Sequence, residues 1–240
     1  MAKQNVFYGV GQVTSDEVKV IAGEKNSRLI FNVAINLPAG TETKGHFFKV
    51  ETWVKPDSKL ADSLKKGACV SINGKLLERT FPRKDGTTGQ EAYIQANRIN
   101  VVKDGWLANS SDIHAHAFVA ADPAARGKTT AVRVGIEGLY NKDKKSTDVM
   151  FLDAIYFGDN AERVLAHIRK GDSLNISGTL VTNDRTTKDG KAYKVCQILT
   201  REYPDVTRRH KGAEAEADVA DTAPAMNTPI VDDDDEAIPF

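Results

Sequence analysis

Cysteine and long apolar runs are scarce in this sequence of 240 residues. The two cysteines, Cys69 and Cys196, are too few for a disulfide scaffold, and both lie in strand-like runs, so we expect reduced core residues. No stretch approaches the ~18 uncharged apolar residues of a membrane helix. The opening MAKQNVFYGV has no basic segment followed by an apolar one, which predicts a cytoplasmic protein with no membrane partner.

Recognisable catalytic motifs are also missing from the sequence. We find no Ser/His/Asp set, glycine-rich phosphate loop or motif-spaced carboxylate pair, so we expect neither enzyme activity nor a cofactor. His114 and His116 share one face of a predicted strand, which would suit a metal, but the sequence offers no third ligand at a suitable spacing. We therefore predict no metal site.

Lysine and arginine are absent from residues 212–240, which contain nine acidic residues. The formal net charge of zero therefore conceals a net charge of +9 on residues 1–211. A basic body with a separate acidic tail is typical of proteins that handle nucleic acid. The acidic segment has little apolar bulk to offset the entropy of ordering, so we predict that residues 207–240 form a disordered linker and tail.

The chain ends in DDDDEAIPF, where Ile238, Pro239 and Phe240 follow a run of acids. Large apolar residues are unusual at such an end, because nothing local can bury them.

Residues 1–211 contain an internal repeat. The segment KKGACVSINGKLLERT (65–80) aligns with RKGDSLNISGTLVTND (169–184) at an offset of 104. That offset holds without a gap from Phe47/Phe151 to Gly86/Gly190. An ordered series of this length indicates two copies of one domain.

The offset shifts on either side of this long segment. Upstream, FNVAI (31–35) aligns with VRVGI (132–136) at an offset of 101. Downstream, we match AY at 92–93 to AY at 192–193. Such shifts are what loops of different length in two copies produce.

Each copy predicts the same order of elements. Period-2 alternation rich in β-branched and aromatic residues predicts five strands in copy one, near 5–14, 28–37, 46–54, 68–81 and 91–102. Leu60, Ala61 and Leu64 at helical spacing predict a short helix over about 58–66, ended by Gly67. KDG turns at 84–86 and 188–190 would close hairpins between strands four and five.

Five strands with a helix between the third and fourth describe the oligonucleotide/oligosaccharide-binding (OB) barrel. We therefore predict an all-β chain with two tandem OB-fold five-stranded barrels and a disordered C-terminal tail. Each barrel would have one short helix between strands 3 and 4, and the domains would be 1–108, 109–206 and the tail 207–240. Copy one has a net charge of +5 and copy two of +1.

Alternate residues of the third strand in copy one differ in character. One face has Phe48, Val50, Thr52 and Val54 and is apolar enough to line a barrel, while the other has Phe47, Lys49, Glu51 and Trp53. On the fourth strand, Lys75, Arg79 and Phe81 likewise lie opposite the apolar set. The alternative is that Phe47 and Trp53 are ordinary core aromatics. Their position on the strand face opposite Val50 and Val54 argues against it. Rings spaced among cations suit unpaired bases, since a base face stacks at ~1–3 kcal/mol while Lys or Arg meets phosphate.

Both copies and the tail resemble the bacterial single-stranded DNA-binding protein family. FYGVGQVTSDEV (7–18) is similar to that family's first strand and turn, and FFKVETWV…KLADSLKKGACVSINGKLLERTF (47–81) to its central segment. FLDAIYFG (151–158) and RKGDSLNISGTL (169–180) resemble the same segment in copy two. The Ile-Pro-Phe end after acid is the most specific mark of the family.

This resemblance implies a function and a set of site residues. The function is non-enzymatic binding and protection of single-stranded DNA on the nucleoid during replication, recombination and repair, with little sequence preference. The resemblance and the strand pattern together imply these DNA-binding residues: Phe47, Lys49, Trp53, Lys75, Arg79, Phe81, Phe151, Phe157 and Arg185. Arg185 occupies the position that Phe81 has in copy one. DNA-processing enzymes would dock on the tip of the tail, at Asp232, Asp233, Asp234, Asp235, Glu236, Ile238, Pro239 and Phe240.

The sequence departs from the usual family pattern in two ways. The usual chain has one barrel and forms a tetramer, whereas two barrels in this chain imply a homodimer with four. Ala237 also separates the acidic run from Ile-Pro-Phe, which we expect to modulate tail recognition rather than abolish it. Two other functions stay open, an interaction adaptor with reduced DNA affinity and an RNA-binding chaperone.

Overall fold

A computed structural model describes residues 4–82, 86, 88–103, 105–141, 145–186 and 192–207. The predicted disordered tail, apart from Thr207, and its docking residues 232–240 lie outside the described residues. So do most of the two predicted KDG turns, of which only Gly86 is described. Within the described ranges, neither helix is long and apolar enough to cross a membrane.

The first half of the chain contains six strands and one turn of helix. In chain order these are β1 Asn5–Val13, β2 Lys19–Ile21, β3 Ser27–Ala39, β4 Glu42–Val54, α1 Leu60–Ser63, β5 Cys69–Pro82 and β6 Thr88–Val102. The long strands alternate as predicted: on β3, for example, Leu29, Phe31, Val33 and Ile35 are buried and their neighbours are not. Five of the six strands therefore point one row of apolar side chains into a common core.

The second half repeats this order. Its elements are β7 Ser110–Val119, β8 Ala124–Arg126, β9 Thr129–Asn141, β10 Ser146–Phe157, α2 Gly158–His167, β11 Ser173–Thr186, β12 Ala192–Thr200 and β13 Asp205–Thr207. The short strands β2, β8 and β13 pair with β3, β9 and β11 at the barrel margins. None of these three strands was predicted, because three residues are too few to establish a period.

Each half closes into a five-stranded barrel. In the first, β1 pairs with β3, β3 with β4, β4 with β6, β6 with β5, and β5 with β1. In the second, β7, β9, β10, β12 and β11 pair in the corresponding ring. All contacts are antiparallel except β4–β6 and β10–β12. The predicted fold class, all-β with two OB-fold barrels and a helix after the third strand of each, is confirmed.

The strand registers relate the two barrels residue by residue. Val50 pairs with Ile94 and Ala154 with Ile198, so both β4/β10 and β6/β12 correspond at an offset of 104. The predicted match of AY at 92–93 to AY at 192–193 is therefore wrong. Tyr93 pairs with Leu77, whereas Tyr193 pairs with Arg185 much nearer the hairpin end. The Ala-Tyr dipeptide recurs by chance. The segment between the third and fifth strands has the same length in both copies, so the offset does not change here.

Two glycines, Gly74 and Gly178, occupy equivalent places in the two barrels. A Cβ on Gly74 would lie 2.3 Å from the Gln95 carbonyl oxygen, and one on Gly178 2.4 Å from that of Leu199. These positions allow the fourth and fifth strands to approach closely, which closes each barrel.

The two helices differ more than predicted. The helix expected over about 58–66 is only the four residues of α1, whereas α2 has ten residues. Each is followed by a glycine at positive φ, Gly67 at 84° and Gly171 at 89°. Their N–H groups donate to the carbonyls that end β1 and β7, at Val13 and Val119.

The two barrels are joined through their first strands. β1 and β7 pair antiparallel from Asn5↔Ala115 to Val10↔Ser110. Phe7 lies opposite Ile113, which occupies the corresponding position in the second barrel. The barrels are thus related by an approximate twofold axis at this pair, and β6–β5–β1–β7–β11–β12 form one continuous sheet.

Candidate nucleic-acid interface

Strand β4 exposes two large aromatic side chains on its outer face. Phe47 is 49% exposed and Trp53 is 56% exposed, whereas Phe48 and Val50 on the other face are buried. Apolar rings are normally drawn into the core by the hydrophobic effect, so this exposure leaves flat faces available for stacking. The predicted parity of the strand places both rings on the outside.

Arg28 of β3 lies beside Trp53. Its guanidinium carbon lies 5.8 Å from the centroid of the indole, and the two residues are direct partners in the β3–β4 ladder. Arg28 also lies 3.6 Å from a carboxylate oxygen of Glu51. A cation beside an exposed ring can meet a phosphate while the ring holds a base. Arg28 was not among the predicted residues, because its place beside Trp53 depends on the register of the β3–β4 hairpin.

Lys49 and Arg79 belong to a charged cluster that joins β4, β5 and β6. Arg79 hydrogen-bonds Glu91 at 2.6 and 3.1 Å and also bonds the buried Glu51, while Lys49 pairs with Glu91. Arg79 lies over Tyr93, 4.9 Å from its ring centroid.

The cluster affects the ionisation of its members. Although burial alone would have the opposite effect, the hydrogen bonds from Lys49 and Arg79 lower the pKa of Glu91. Burial likewise opposes the charge of Arg79, but hydrogen bonds to Glu91 and Glu51 raise its pKa. Both predicted cations are thus largely offset by carboxylates, which the strand pattern alone did not indicate.

The remaining predicted residues of barrel one lie on β5. Phe81 is 38% exposed near the end of the strand, and Lys75 is partly exposed. Phe47, Trp53 and Phe81 therefore present accessible ring faces, whereas Arg79 lies over the ring of Tyr93.

Barrel two offers less aromatic surface at the corresponding positions. Phe151 corresponds to Phe47 but is only partly exposed and packs edge-on against Phe118, with ring centroids 5.9 Å apart. Phe157 corresponds to Trp53, is also partly exposed, and directly precedes α2. Arg185 is exposed at the position of Phe81.

Phe47 also lies where the two barrels meet. Its backbone N–H donates to Thr182 Oγ1 at 3.2 Å, and Lys194 Nζ of β12 lies 5.2 Å from its ring centroid. Lys194 was not among the predicted residues, because this contact joins two barrels and no local sequence pattern indicates it.

His46, next to Phe47, is 4% exposed between the barrels. Its Nδ1 accepts a hydrogen bond from the Thr182 N–H at 3.0 Å. Burial lowers the pKa of His46, and the nearby Lys44 and Lys194 lower it further, while the Thr182 backbone has the opposite effect. His46 is therefore a buried hydrogen-bond link between β4 and β11.

Part of the chain matches a known family by sequence. The model of the single-strand binding protein family matches residues 4–102. A single-stranded DNA-binding protein from Oceanobacillus iheyensis is 28% identical over 76 residues, which cover 30% of this chain and 47% of that protein. The chain thus aligns with about half the length of this curated relative.

Solved structures resemble more of the chain. A deletion variant of the single-stranded DNA binding protein from Thermus aquaticus has a TM-score of 0.64 at 21% identity, covering 90% of this chain and 100% of that one. The wild-type Thermus aquaticus protein has a TM-score of 0.62 at 21% identity, covering 88% and 96%. The likeness in fold extends over both barrels, whereas the match to the single-strand binding protein family covers residues 4–102.

Proposed function

We propose that this protein is a non-enzymatic coat for single-stranded DNA. The observation that carries the proposal is the outer face of β4, where Phe47 and Trp53 are each about half exposed and each lies beside a cation, Lys194 or Arg28. An alternation of flat rings and cations suits a strand of stacked bases and phosphates and needs no particular base. The family domain at residues 4–102, which includes this face, supports the same function.

The proposal divides the protein into two binding barrels and a recruiting tail. Residues 1–108 and 109–206 are the binding units, with the DNA-contacting side chains Phe47, Lys49, Trp53, Lys75, Arg79, Phe81, Phe151, Phe157 and Arg185. Residues 207–240 form the tail, whose acidic run and Ile238, Pro239 and Phe240 recruit replication and repair enzymes. A partner pocket would need an apolar slot for Phe240 and basic residues for the neighbouring carboxylates.

We also propose that the functional unit is a homodimer with four barrels. One open surface supports it: the outer face of the continuous sheet, where Tyr8 and Val6 are exposed beside a shallow depression of about 530 Å³ lined by Ser71, Asn73, Arg98 and Asn100. A second copy could cover this face and place two further barrels beside the first two.

A competition experiment tests the DNA-binding proposal. A fluorescent oligo-dT bound to the full-length protein is displaced with unlabelled oligo-dT, oligo-U or duplex DNA. We expect oligo-dT to displace best and duplex DNA to displace poorly, because paired bases cannot stack on Phe47 or Trp53. Preferential displacement by oligo-U would favour an RNA chaperone, and absence of binding to the probe would favour an adaptor.

A further inference from the structure

The barrels meet along two seams that the approximate twofold axis relates. The basic seam brings Lys44, His46 and Phe47 of β4 against Thr182, Asn183 and Lys194 of β11 and β12. The acidic seam brings Asp148 and Met150 of β10 against Leu77, Glu78 and Tyr93 of β5 and β6, around a cavity of about 40 Å³. The offset of 104 makes Lys44 the counterpart of Asp148, and Lys194 the counterpart of Gln90.

The basic seam presents two lysines beside an accessible ring. Lys44 Nζ donates to the amide oxygen of Asn183 at 3.0 Å, a bond that leaves its charge uncompensated. Lys194 lies over Phe47 and 3.6 Å from Asp184, whose side chain is 82% exposed, so this ion pair is weak. Both cations can therefore move to a phosphate at little cost.

The acidic seam has the opposite character. Asp148 stands where the basic seam has Lys44, and Glu78 stands where it has Thr182. Burial raises the pKa of Glu78, although Arg133 opposes this. The nearby cations are held by carboxylates, Arg79 by Glu51 and Glu91, and Arg133 by Asp153 at 3.2 Å. A phosphate at this seam would face Asp148 and Glu78, and the two arginines nearby are already paired with carboxylates.

We propose that single-stranded DNA passes from barrel one to barrel two at the basic seam and not at the acidic seam. A base stacks on Phe47 in the place of the Lys194 ammonium, and the released Lys194 and Lys44 contact the flanking phosphates. An exposed cation–π contact contributes about 0.5–1 kcal/mol, less than the ~1–3 kcal/mol of base stacking, so the exchange is favourable. The inference rests on the proposed DNA-binding function and gives the path within one chain a single crossing point.

Salt-dependent binding to oligo-dT tests the crossing point. The probe is a labelled oligo-dT of about 35 nucleotides, longer than two OB barrels commonly occupy. Three full-length variants are compared with the wild type: Lys44→Ala with Lys194→Ala at the basic seam, Asp148→Ala at the acidic seam, and Lys59→Ala with Lys66→Ala as a control. The control removes two exposed lysines that flank α1, outside both seams.

The slope of log K against log salt is negative, and loss of two phosphate contacts should make it shallower by about 1.4, because each contact to a single strand contributes about 0.7. Between 50 and 200 mM salt this changes the ratio of wild-type to variant affinity by about sevenfold. We expect this change for the basic-seam variant, and changes below about twofold for the other two, since their residues meet no phosphate.

The results separate this inference from the proposed function. If the wild type does not bind oligo-dT, the proposed function fails and the inference fails with it. If the wild type binds but the control variant changes as much as the basic-seam variant, the lysines act only through net charge and the crossing point is refuted. A loss of affinity for Asp148→Ala equal to that at the basic seam would also refute it, since both seams would then take part.

Discussion

The two barrels should contribute unequally to DNA affinity, and the exposed rings give the size of the difference. We compare two double variants: one combines Phe47→Ala and Trp53→Ala in barrel one, and the other combines Phe151→Ala and Phe157→Ala in barrel two. The first pair removes two half-exposed rings, each beside a cation. The second removes two partly exposed rings, one of which is held against Phe118.

Base stacking sets the magnitude. At ~1–3 kcal/mol for each base, the loss of two stacking rings costs ~2–6 kcal/mol, or at least about 30-fold in the dissociation constant. The net charge of barrel one, +5 against +1, adds to its share of the affinity. We therefore expect the barrel-two pair to lose less than about tenfold, because its ring faces are less accessible.

The assay is fluorescence anisotropy of a labelled oligo-dT, because Trp53→Ala removes one of the two tryptophans and makes intrinsic fluorescence unsuitable. Thermal unfolding of each variant is the control: half-exposed rings leave small cavities, so the barrel-one pair should retain the fold. Equal losses for the two pairs, or a larger loss for barrel two in folded variants, would refute this account of unequal barrels.

Three further predictions concern the seam, the assembly and the tail. The pKa of His46 is lowered below its ordinary value of about 6.5, so the unfolded chain takes up a proton at this residue before the folded chain does. The stability of the fold should therefore fall when the pH drops from 7 to 5. His46→Gln keeps an acceptor for the Thr182 N–H and should reduce this fall in denaturation midpoint. An unchanged fall in this variant would contradict the assignment. Light scattering should give about twice the 26.2 kDa chain mass, and a monomer mass at working concentration would count against the homodimer. Deleting residues 232–240 should leave oligo-dT affinity unchanged or tighter at low salt, since the acids compete with DNA for basic surfaces. The same deletion should remove pull-down of DNA-processing enzymes. Weaker DNA binding with surviving pull-down would contradict this division of roles.

Most of the fold was predictable because its strands are long and their alternation is regular. The burial of Phe48 and Val50 and the exposure of Phe47 and Trp53 follow from period 2 alone. The pairing of β1 with β7 was not predictable, since both strands also pair within their own barrels and periodicity does not reveal the partner on the second edge. The domain boundaries at 108 and 206 stay a prediction.

The exposure of the β4 aromatics was predictable, whereas the pairing of the neighbouring charges was not. Parity gave the exposed face of β4 but could not reveal that Glu51 would be buried beneath Arg28 and Arg79. Ion pairs join residues on different strands, so their partners depend on register, which one strand does not encode. Lys194 was missed for the same reason at longer range, because it reaches Phe47 from the other barrel.

The central claim, that exposed rings of β4 hold unpaired bases, is tested most directly by the fluorescence of Trp53. In a Trp106→Phe variant, Trp53 is the only tryptophan. Trp106 is an exposed residue in the segment that connects β6 to β7, so its replacement leaves the core unchanged. Titration with oligo-dT should quench Trp53 in a saturable way, more weakly as salt rises, and duplex DNA should not reproduce the quenching. Unchanged fluorescence with oligo-dT, or an equal response to duplex DNA, would contradict the account.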